Sequence, residues 1–239
     1  MRPLILFDID ATLLKTDGAG MTAMADAGRE LFGPGFTSDG IDFAGRLDPL
    51  IFRELFGLNG VGRTPEIEKH FRAVYYGHLQ KRLAASTTAR PLPGVATLVD
   101  ALRSAQSHEL GILTGNFRES GSLKLQCCGL NPSWFPISAW GDDSPHDPPA
   151  RDHLPPVAMT RYLTHTGVRV PPAHVTIIGD TPHDVRCALV NGCRCIGVAT
   201  GRFSETELTA AGATFVVPNL ASTSHVLNLL SVAATFSPT

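Results

Sequence analysis

Three segments of the chain place acidic or hydroxyl side chains directly after a short apolar run. An apolar run without alternation is typical of a strand that is buried on both faces of a parallel sheet. Ligands bind at the carboxyl ends of the strands in such sheets, so we expect the three segments along one edge. They are Asp8-Ile9-Asp10, Thr114-Gly115-Asn116 and Gly179-Asp180-Thr181-Pro182-His183-Asp184.

The side chains of these segments favour phosphoryl-transfer chemistry. Asp8 and Asp10 repel each other unless a cation or a donor compensates them, and Asp180 would approach them from another strand end. Oxygen ligands of this kind suit Mg²⁺. Thr114 stands where a strand gives way to a helix, so its hydroxyl and the following amides would hold an anion. A carboxylate nucleophile, a divalent cation and an anion-binding turn together predict transfer through an aspartyl-phosphate.

Each segment alone has a simpler interpretation. Asp8 or Asp10 by itself is typical of a turn or a helix cap, and Thr114 by itself is typical of a helix N-cap. Asp180-Thr181-Pro182 is typical of a turn. Because all three segments follow predicted strands of one sheet, we interpret them together as one active site.

The apolar runs alternate with helical patterns, which predicts βαβ units and a doubly wound α/β sheet. The predicted strands are Pro3–Phe7, Leu110–Leu113, Val175–Ile178, Cys195–Val198 and Phe215–Val217. The predicted helices of this part are Val95–Gln106, Glu119–Cys128, Leu154–Thr166, Asp184–Asn191 and Leu220–Leu230. The segment Asp142–Pro156 is rich in Pro, Asp and His and is predicted to form a loop.

One stretch departs from this alternation. Thr16–Arg90 contains no clear strand, only the helical patterns Met21–Phe32, Leu50–Phe56 and Pro65–Ala84. We therefore predict an α/β core domain formed by residues 1–15 and 91–239, with an inserted helical cap domain formed by residues 16–90. The alternative is a single domain that carries the extra helices at its edge.

Composition excludes several classes of function. The 239 residues carry 20 Lys+Arg against 22 Asp+Glu, which gives no electrostatic reason to bind nucleic acid or an anionic membrane. No apolar run reaches the roughly 20 residues of a membrane span, and the start MRPLILFDID turns acidic too soon for a targeting peptide. We expect a cytoplasmic protein. Its five cysteines predict reduced, structural thiols, with a redox or metal role as the alternative.

The three segments, in this order and spacing, resemble the motifs of the haloacid dehalogenase-like (HAD) hydrolases, and the resemblance covers nearly the whole chain. The corresponding motifs are Asp8-Ile9-Asp10-Ala11-Thr12-Leu13, Ile112-Leu113-Thr114-Gly115-Asn116 and Gly179-Asp180-Thr181-Pro182-His183-Asp184. The predicted cap is similar to that of the phosphoglycolate phosphatase-like branch. The resemblance implies a Rossmann-like parallel sheet and an all-helical cap.

The resemblance implies two catalytic carboxylates. Asp8 would be the nucleophile that attacks phosphorus. Asp10 would protonate the leaving alcohol and then activate the water that hydrolyses the aspartyl-phosphate. Asp10 favours phosphate esters as substrates, because the family's dehalogenases and its phosphonate-cleaving branch lack this carboxylate.

The resemblance also implies which residues bind metal and phosphate. Asp8, Asp180 and the backbone carbonyl of Asp10 would hold Mg²⁺, with Asp184 bound through water or supporting the ligands. Thr114 and its neighbours Gly115 and Asn116 would bind the transferring phosphoryl group. In the predicted cap, Gly45-Arg46-Leu47-Asp48 resembles a short motif of this branch, so Arg46 would contact the non-reacting end of the substrate. A solvated loop arginine is the alternative interpretation of Arg46.

Two positions depart from the family pattern. Ala11 replaces the usual Gly after the first motif, which would cost roughly 1 kcal/mol if the turn needs a positive φ. The family's third motif supplies a Lys, and the candidate stretch Arg151–Pro156 contains none. We favour Arg151 as the replacement, since a guanidinium also binds phosphate and carboxylate. Lys124 is the other candidate, and a solvated helix-face charge is the simpler interpretation of either.

The predicted function is Mg²⁺-dependent hydrolysis of a small phosphorylated metabolite by a monomer or homodimer, without nucleic-acid or membrane partners. A sugar phosphomutase of the same architecture is an alternative that these residues do not distinguish. A non-catalytic binding or regulatory protein is a second alternative. The intact Asp8, Asp10 and Asp180 oppose it, whereas Ala11 and the missing Lys favour it.

Overall fold

The computed structural model describes residues 1–233, which form eight strands and nine helices. The strands are β1 (Leu4–Phe7), β2 (Leu14–Lys15), β3 (Arg90–Pro91), β4 (Glu109–Leu113), β5 (Ile137–Ala139), β6 (Val175–Gly179), β7 (Arg194–Val198) and β8 (Phe215–Val217). The helices are α1 (Ala19–Phe32), α2 (Asp48–Leu58), α3 (Pro65–Ala84), α4 (Val95–Ala105), α5 (Arg118–Cys127), α6 (Leu154–Thr166), α7 (Pro182–Val190), α8 (Glu205–Ala210) and α9 (Thr223–Ala233).

Six strands form one parallel sheet in the order β5-β4-β1-β6-β7-β8. All four residues of β1 are fully buried. Successive side chains of a strand point to opposite faces, so Ile5 and Phe7 join one hydrophobic cluster while Leu4 and Leu6 join another. The prediction of a doubly wound α/β sheet is therefore confirmed.

Strand β1 lies at the centre of the sheet and determines where the site forms. Phe7, its last residue, pairs with Ile112 of β4 on one side and with Ile178 of β6 on the other. The residues that follow these three strands therefore leave the sheet side by side. Chain order reverses at this point of the sheet, which is where ligands bind in open α/β folds.

Helices α1–α3, which we call the helical segment, pack around a separate hydrophobic cluster that Phe117, just before α5, also joins, with its ring 5.0 Å from that of Phe52. Phe71 of α3 meets Phe52 and Phe56 edge-on, with ring centroids 4.7 and 5.0 Å apart. The antiparallel pair β2 and β3 joins the segment to the large sheet. Aromatic packing and this two-strand connection together hold the segment over the edge of the sheet where β1, β4 and β6 end.

The structure differs from the sequence-based prediction in several short elements. Strands β2, β3 and β5 have two or three residues, too few for a periodic pattern, and Arg90 lies in a strand although no strand was predicted there. The short helix α8 was not predicted. The predicted loop Asp142–Pro156 is wrong at its end, because a 3-10 turn and then α6 begin within it. Proline is tolerated in the first helical turn, so the prolines of this segment open α6.

Two expectations from composition concern the state of the cysteine thiols and the presence of membrane-spanning segments. All five cysteines, each in the described part of the chain, have free thiols, and only Cys127 of them is exposed. Among residues 1–233, none of the helices has both the length and the apolar character that crossing a membrane requires.

Ala11, which replaces the family's usual Gly, adopts the left-handed conformation in which glycine is favoured. Its φ is +58°, its N–H donates to Leu14 O at 2.8 Å, and its carbonyl accepts from the Thr200 hydroxyl at 2.5 Å. These contacts fix a tight turn directly after Asp10. The turn lets the chain leave β1 without moving the carboxylates away from the sheet edge.

Ala11→Gly is expected to stabilise the protein by up to about 1 kcal/mol. Glycine relieves a left-handed penalty of roughly 1–2 kcal/mol, and the greater freedom of the unfolded chain offsets about 0.4–1 kcal/mol of that gain. Urea unfolding measures the difference. Ala101→Gly in the middle of α4 is the matched control and should cost about 1 kcal/mol. A loss of stability in both variants would contradict the strain assigned to Ala11.

Candidate active site

Three acidic side chains of the predicted motifs meet at the carboxyl edge of the sheet. Asp8 follows β1 and donates its N–H to Ile178 O at 2.9 Å, which keeps it in register with β6. Asp180 follows β6, and Asp184 lies in the first turn of α7. The three buried carboxylates offer oxygens that all lie within 4.8 Å of one another. The structure thus brings together residues that are more than 170 positions apart in sequence.

Two residues to which the sequence analysis gave no role lie against Asp180, namely Thr12 of the first motif and Gly201. The Thr12 hydroxyl donates to Asp180 Oδ1 at 3.4 Å. Gly201 approaches so closely that a Cβ there would lie 1.8 Å from Asp180 Oδ2. Any other residue at position 201 would displace the carboxylate. The signal was available, because Thr200 and Gly201 follow the predicted strand Cys195–Val198 as the other site residues follow theirs.

Asp184 already has protein partners on both oxygens. Its Oδ2 accepts from the Thr181 N–H at 3.1 Å and from the Thr181 hydroxyl at 2.8 Å, in a capping box at the start of α7. Its Oδ1 accepts from Arg151. These contacts favour a role in support of the ligands over direct ligation of a metal.

Arg151 lies between two of the carboxylates and is itself buried. Its Nη2 lies 3.1 Å from Asp8 Oδ1 and donates to Asp184, while its Nη1 donates to Gly45 O at 3.1 Å. Burial alone would lower the pKa of Arg151, but the charges of Asp184 and Asp8 hold it above its ordinary value. A permanently charged guanidinium therefore compensates the acidic cluster.

Lys124 forms a second, separate network around Asp10. Its Nζ donates to Asp10 Oδ2 at 2.6 Å and to Asn116 Oδ1 at 2.7 Å. The Asn116 amide donates in turn to Asp10 Oδ2 at 2.8 Å and to Thr114 Oγ1 at 2.9 Å. The two candidates for the missing Lys are therefore both in the site, with Arg151 on Asp8 and Lys124 on Asp10.

Asp48, the first residue of α2, ties the helical segment to the turn after β4. Its N–H donates to Gly115 O at 2.7 Å, and its Oδ2 accepts from the Phe117 N–H at 2.9 Å. Burial raises the pKa of Asp48 to about 7, although Lys124 acts in the opposite direction. The sequence analysis had no role for this carboxylate beyond its place in the Gly45–Asp48 motif.

A cavity of about 610 Å³ opens between the helical segment and the edge of the sheet. Asp8, Asp10, Thr114 and Asp180 line it, as do Gly115, Asn116, Lys124 and Arg151. Gly45 has a φ of +67°, and a Cβ there would lie 2.5 Å from Thr181 Oγ1, so the loop before α2 closes tightly on the core. Arg46 also lines the cavity, but its guanidinium donates to Asp42 O at 3.2 Å and to Glu54.

The acidic cluster carries more negative charge than its protein partners compensate. Burial raises the pKa of Asp8 to about 6 against the opposing effect of Arg151. Burial likewise raises the pKa of Asp180 to about 8, with further increases from Asp8 and Asp184. Buried oxygen ligands with excess negative charge fit a hard divalent cation such as Mg²⁺.

The family comparison agrees with this geometry. Residues 5–198 match the family of haloacid dehalogenase-like hydrolases, and the chain belongs to that family. Its α/β core and acidic edge are therefore those of a hydrolase of this class.

Individual relatives extend the comparison. The chain is 27% identical over 214 residues to "Probable phosphatase IndB" of Dickeya dadantii (strain 3937), covering 88% of this chain and 87% of the relative. A "predicted phosphoglycolate phosphatase" from Haemophilus somnus has a similar fold, with a TM-score of 0.70, 17% identity and coverage of 95% and 98%. A "putative beta-phosphoglucomutase" from Thermotoga maritima is also similar, with a TM-score of 0.63, 18% identity and coverage of 95% and 99%.

Arg151→Met is expected to destabilise the protein by about 3–5 kcal/mol, because Asp8 and Asp184 would remain buried without their cation. Arg151→Lys should lose less, since it keeps the charge and gives up only the forked geometry. Chemical denaturation of the metal-free protein compares the three chains. Equal stability of Arg151→Met and the parent would contradict the compensating role of Arg151.

Asp48 predicts a specific pH dependence. The pKa of Asp48 rises from 3.8 to about 7 on folding. At a pH between these two values, Asp48 is protonated in the folded chain and ionised in the unfolded chain. The parent protein therefore loses stability from this group as pH rises through that window, whereas Asp48→Asn does not. Relative to the parent, Asp48→Asn should gain up to about 3 kcal/mol between pH 4.5 and 7.

Thermal unfolding of both chains across this range checks the prediction, and the contributions of groups that do not interact with Asp48 cancel in the difference. A difference that stays constant, or that falls with rising pH, would contradict the raised pKa of Asp48.

Proposed function

We propose that the protein is a Mg²⁺-dependent phosphatase that hydrolyses a small phosphate monoester through an aspartyl-phosphate. The observation that carries this proposal is the separate compensation of Asp8 by Arg151 and of Asp10 by Lys124 at the wall of one cavity. Two carboxylates in different surroundings are suited to different roles. A nucleophile needs one of them ionised, and general acid–base catalysis needs the other to exchange a proton.

In the first step, an oxygen of Asp8 forms a bond to phosphorus while the bond from phosphorus to the leaving oxygen breaks. Asp10 gives its proton to that oxygen, so the alcohol leaves neutral. Arg151 keeps Asp8 ionised and oriented. The Thr114 hydroxyl and the Gly115 amide bind oxygens of the phosphoryl group, whereas the amides of Asn116 and Phe117 already donate to Thr114 and Asp48.

In the second step, Asp10 takes a proton from a water molecule whose oxygen attacks phosphorus. The bond from phosphorus to Asp8 breaks, which releases phosphate and restores the Asp8 carboxylate. Lys124 and Asn116 hold Asp10 in place through both steps. The proton that Asp10 gave to the alcohol is thereby recovered from water.

The acidic cluster supplies ligands for the cation. Asp8, Asp180 and the backbone carbonyl of Asp10 would hold Mg²⁺, with Asp184 keeping Arg151 and the start of α7 in position. When bound, the cation neutralises charge on the transferring phosphoryl group. Thermal unfolding with and without Mg²⁺ reports this binding independently of turnover.

The helical segment would act as a cap that excludes bulk water from the phosphoryl site. It contacts the core through Asp48 and through Arg72, whose Nη2 donates to Glu119 at 2.7 Å and whose Nη1 donates to Asp142 at 2.8 Å. A site closed in this way admits small metabolites and not phosphoproteins.

Asp8→Asn tests the proposal. Phosphate release from a panel of small phosphate esters should require Mg²⁺ and should fall by at least about 10³-fold in the variant, because the amide is not a nucleophile. Asp152→Asn is the control, since this half-buried carboxylate contacts Arg186 at 3.1 Å and does not line the cavity. Phosphate release that persists in Asp8→Asn would overturn the aspartyl-phosphate route. Conversion of a sugar phosphate to its isomer without phosphate release would instead favour a phosphomutase.

A further inference from the structure

The wall that the helical segment contributes to the cavity is mainly apolar. Its apolar side chains come from α1, α2 and the loop between them, and they are Met21, Met24, Ile41, Phe43 and Ile51. Methionine adapts to irregular shapes and makes favourable contacts with apolar groups. The part of a substrate that faces this wall gains most when it has apolar surface.

The cations that line the cavity all have carboxylate partners within residues 1–233. Lys124 binds Asp10, and Arg151 binds Asp8 and Asp184. The remaining pairs are Lys15 with Asp17 at 3.0 Å, Arg202 with Asp42 at 2.6 Å, and Arg46 with Glu54. A carboxylate on the leaving group would therefore have to compete with an existing carboxylate for each of these cations.

One polar group in this wall lacks a partner. Tyr75 of α3 is 1% exposed and lines the cavity. The Ser120 hydroxyl is near it but donates to Asp48 and to Phe117 O, and the Tyr75 hydroxyl is among the buried polar atoms without a hydrogen-bond partner in the described chain. Buried hydroxyls are nearly always satisfied, so an unpartnered one is expected to serve a ligand or water.

The Tyr75 hydroxyl lies close to the reacting groups. A Cβ on Gly20 would lie 3.7 Å from this hydroxyl and 3.3 Å from Lys124 Nζ. Gly20, the Tyr75 hydroxyl and the cation on Asp10 therefore meet at one part of the cavity wall. A substrate whose phosphoryl group is held at Asp8 and Thr114 would extend its alcohol portion along this wall.

We propose that the substrate is the phosphate ester of an uncharged alcohol that has apolar surface and a second hydroxyl, and that Tyr75 binds this hydroxyl. The proposal rests on the proposed phosphatase function. Under this proposal, esters whose leaving group bears a carboxylate, such as 2-phosphoglycolate, are not the preferred substrates. Tyr75 would be a specificity-determining residue for the leaving group.

Three matched series of alkyl phosphates test the proposal, with chains of three to six carbons that end in a hydroxyl, a methyl or a carboxylate group. Binding to the Mg²⁺-loaded Asp8→Asn protein is measured by titration calorimetry, and kcat/KM is measured with the parent. At the best chain length, the hydroxyl ester should bind about tenfold or more tightly than the carboxylate ester. It should also exceed the methyl ester severalfold.

Tyr75→Phe provides the decisive comparison. The preference for the hydroxyl ester over the methyl ester should fall about tenfold or disappear, because the variant lacks the partner for that hydroxyl. Its Tm should rise by about 2–4 °C, since a buried group without a protein partner has been removed. Tyr76→Phe, one position along α3 and not lining the cavity, should leave the preference unchanged.

Three outcomes would overturn the proposal. They are tighter binding of the carboxylate series, an unchanged hydroxyl preference in Tyr75→Phe, and a lower Tm of Tyr75→Phe, which would indicate a structural hydroxyl. Absence of phosphate release by the folded parent, with the binding preference intact, would contradict the phosphatase function and leave the specificity of the cavity established.

Discussion

The need to bury like charges at the end of β1 governs much of this structure. Asp8, Asp180 and Asp184 stand in one small volume at the edge of a buried sheet, where their mutual repulsion is weakly screened. Arg151 resolves part of this conflict by contacting two of the three. The remaining excess of charge is what makes the same volume suitable for a divalent cation, so the destabilising feature and the functional feature are the same.

The position of Arg151, which compensates the charge of the acidic cluster, depends on contacts with distant parts of the chain. Arg151 also donates to the carbonyl of Gly45, which belongs to the loop before α2. Asp48 then connects the start of α2 to the turn after β4. The position of the helical segment over the sheet is therefore coupled to the charges of the site. A movement of the loop that removed its carbonyl from Arg151 would alter the surroundings of Asp8 directly.

The sheet and the convergence of the motif residues at its edge could be predicted from the sequence, because both follow from local patterns. Short continuous apolar runs identified β1, β4, β6, β7 and β8, and polar residues immediately after β1, β4 and β6 identified the sheet edge. What could not be predicted depends on contacts that local patterns do not encode. Gly201 is required by its distance from Asp180, and the free hydroxyl of Tyr75 is a property of packing among three helices. Strand β5 is too short for a periodic signal.

The sequence analysis treated Arg151 and Lys124 as alternatives, whereas their different chemistry suits them to different carboxylates. Arginine keeps its charge at any physiological pH, so Arg151 beside Asp8 favours the ionised form that a nucleophile requires. Lysine is a compact charge on a flexible stem. Beside Asp10, Lys124 can keep its hydrogen bond while the carboxyl group moves to give and to take a proton in the two proposed steps. An exchange of the two cations would place the rigid, permanent charge on the proton-transferring group. The pairing of Asp8 with arginine and of Asp10 with lysine thus matches the proposed roles of Asp8 as nucleophile and Asp10 as acid–base catalyst.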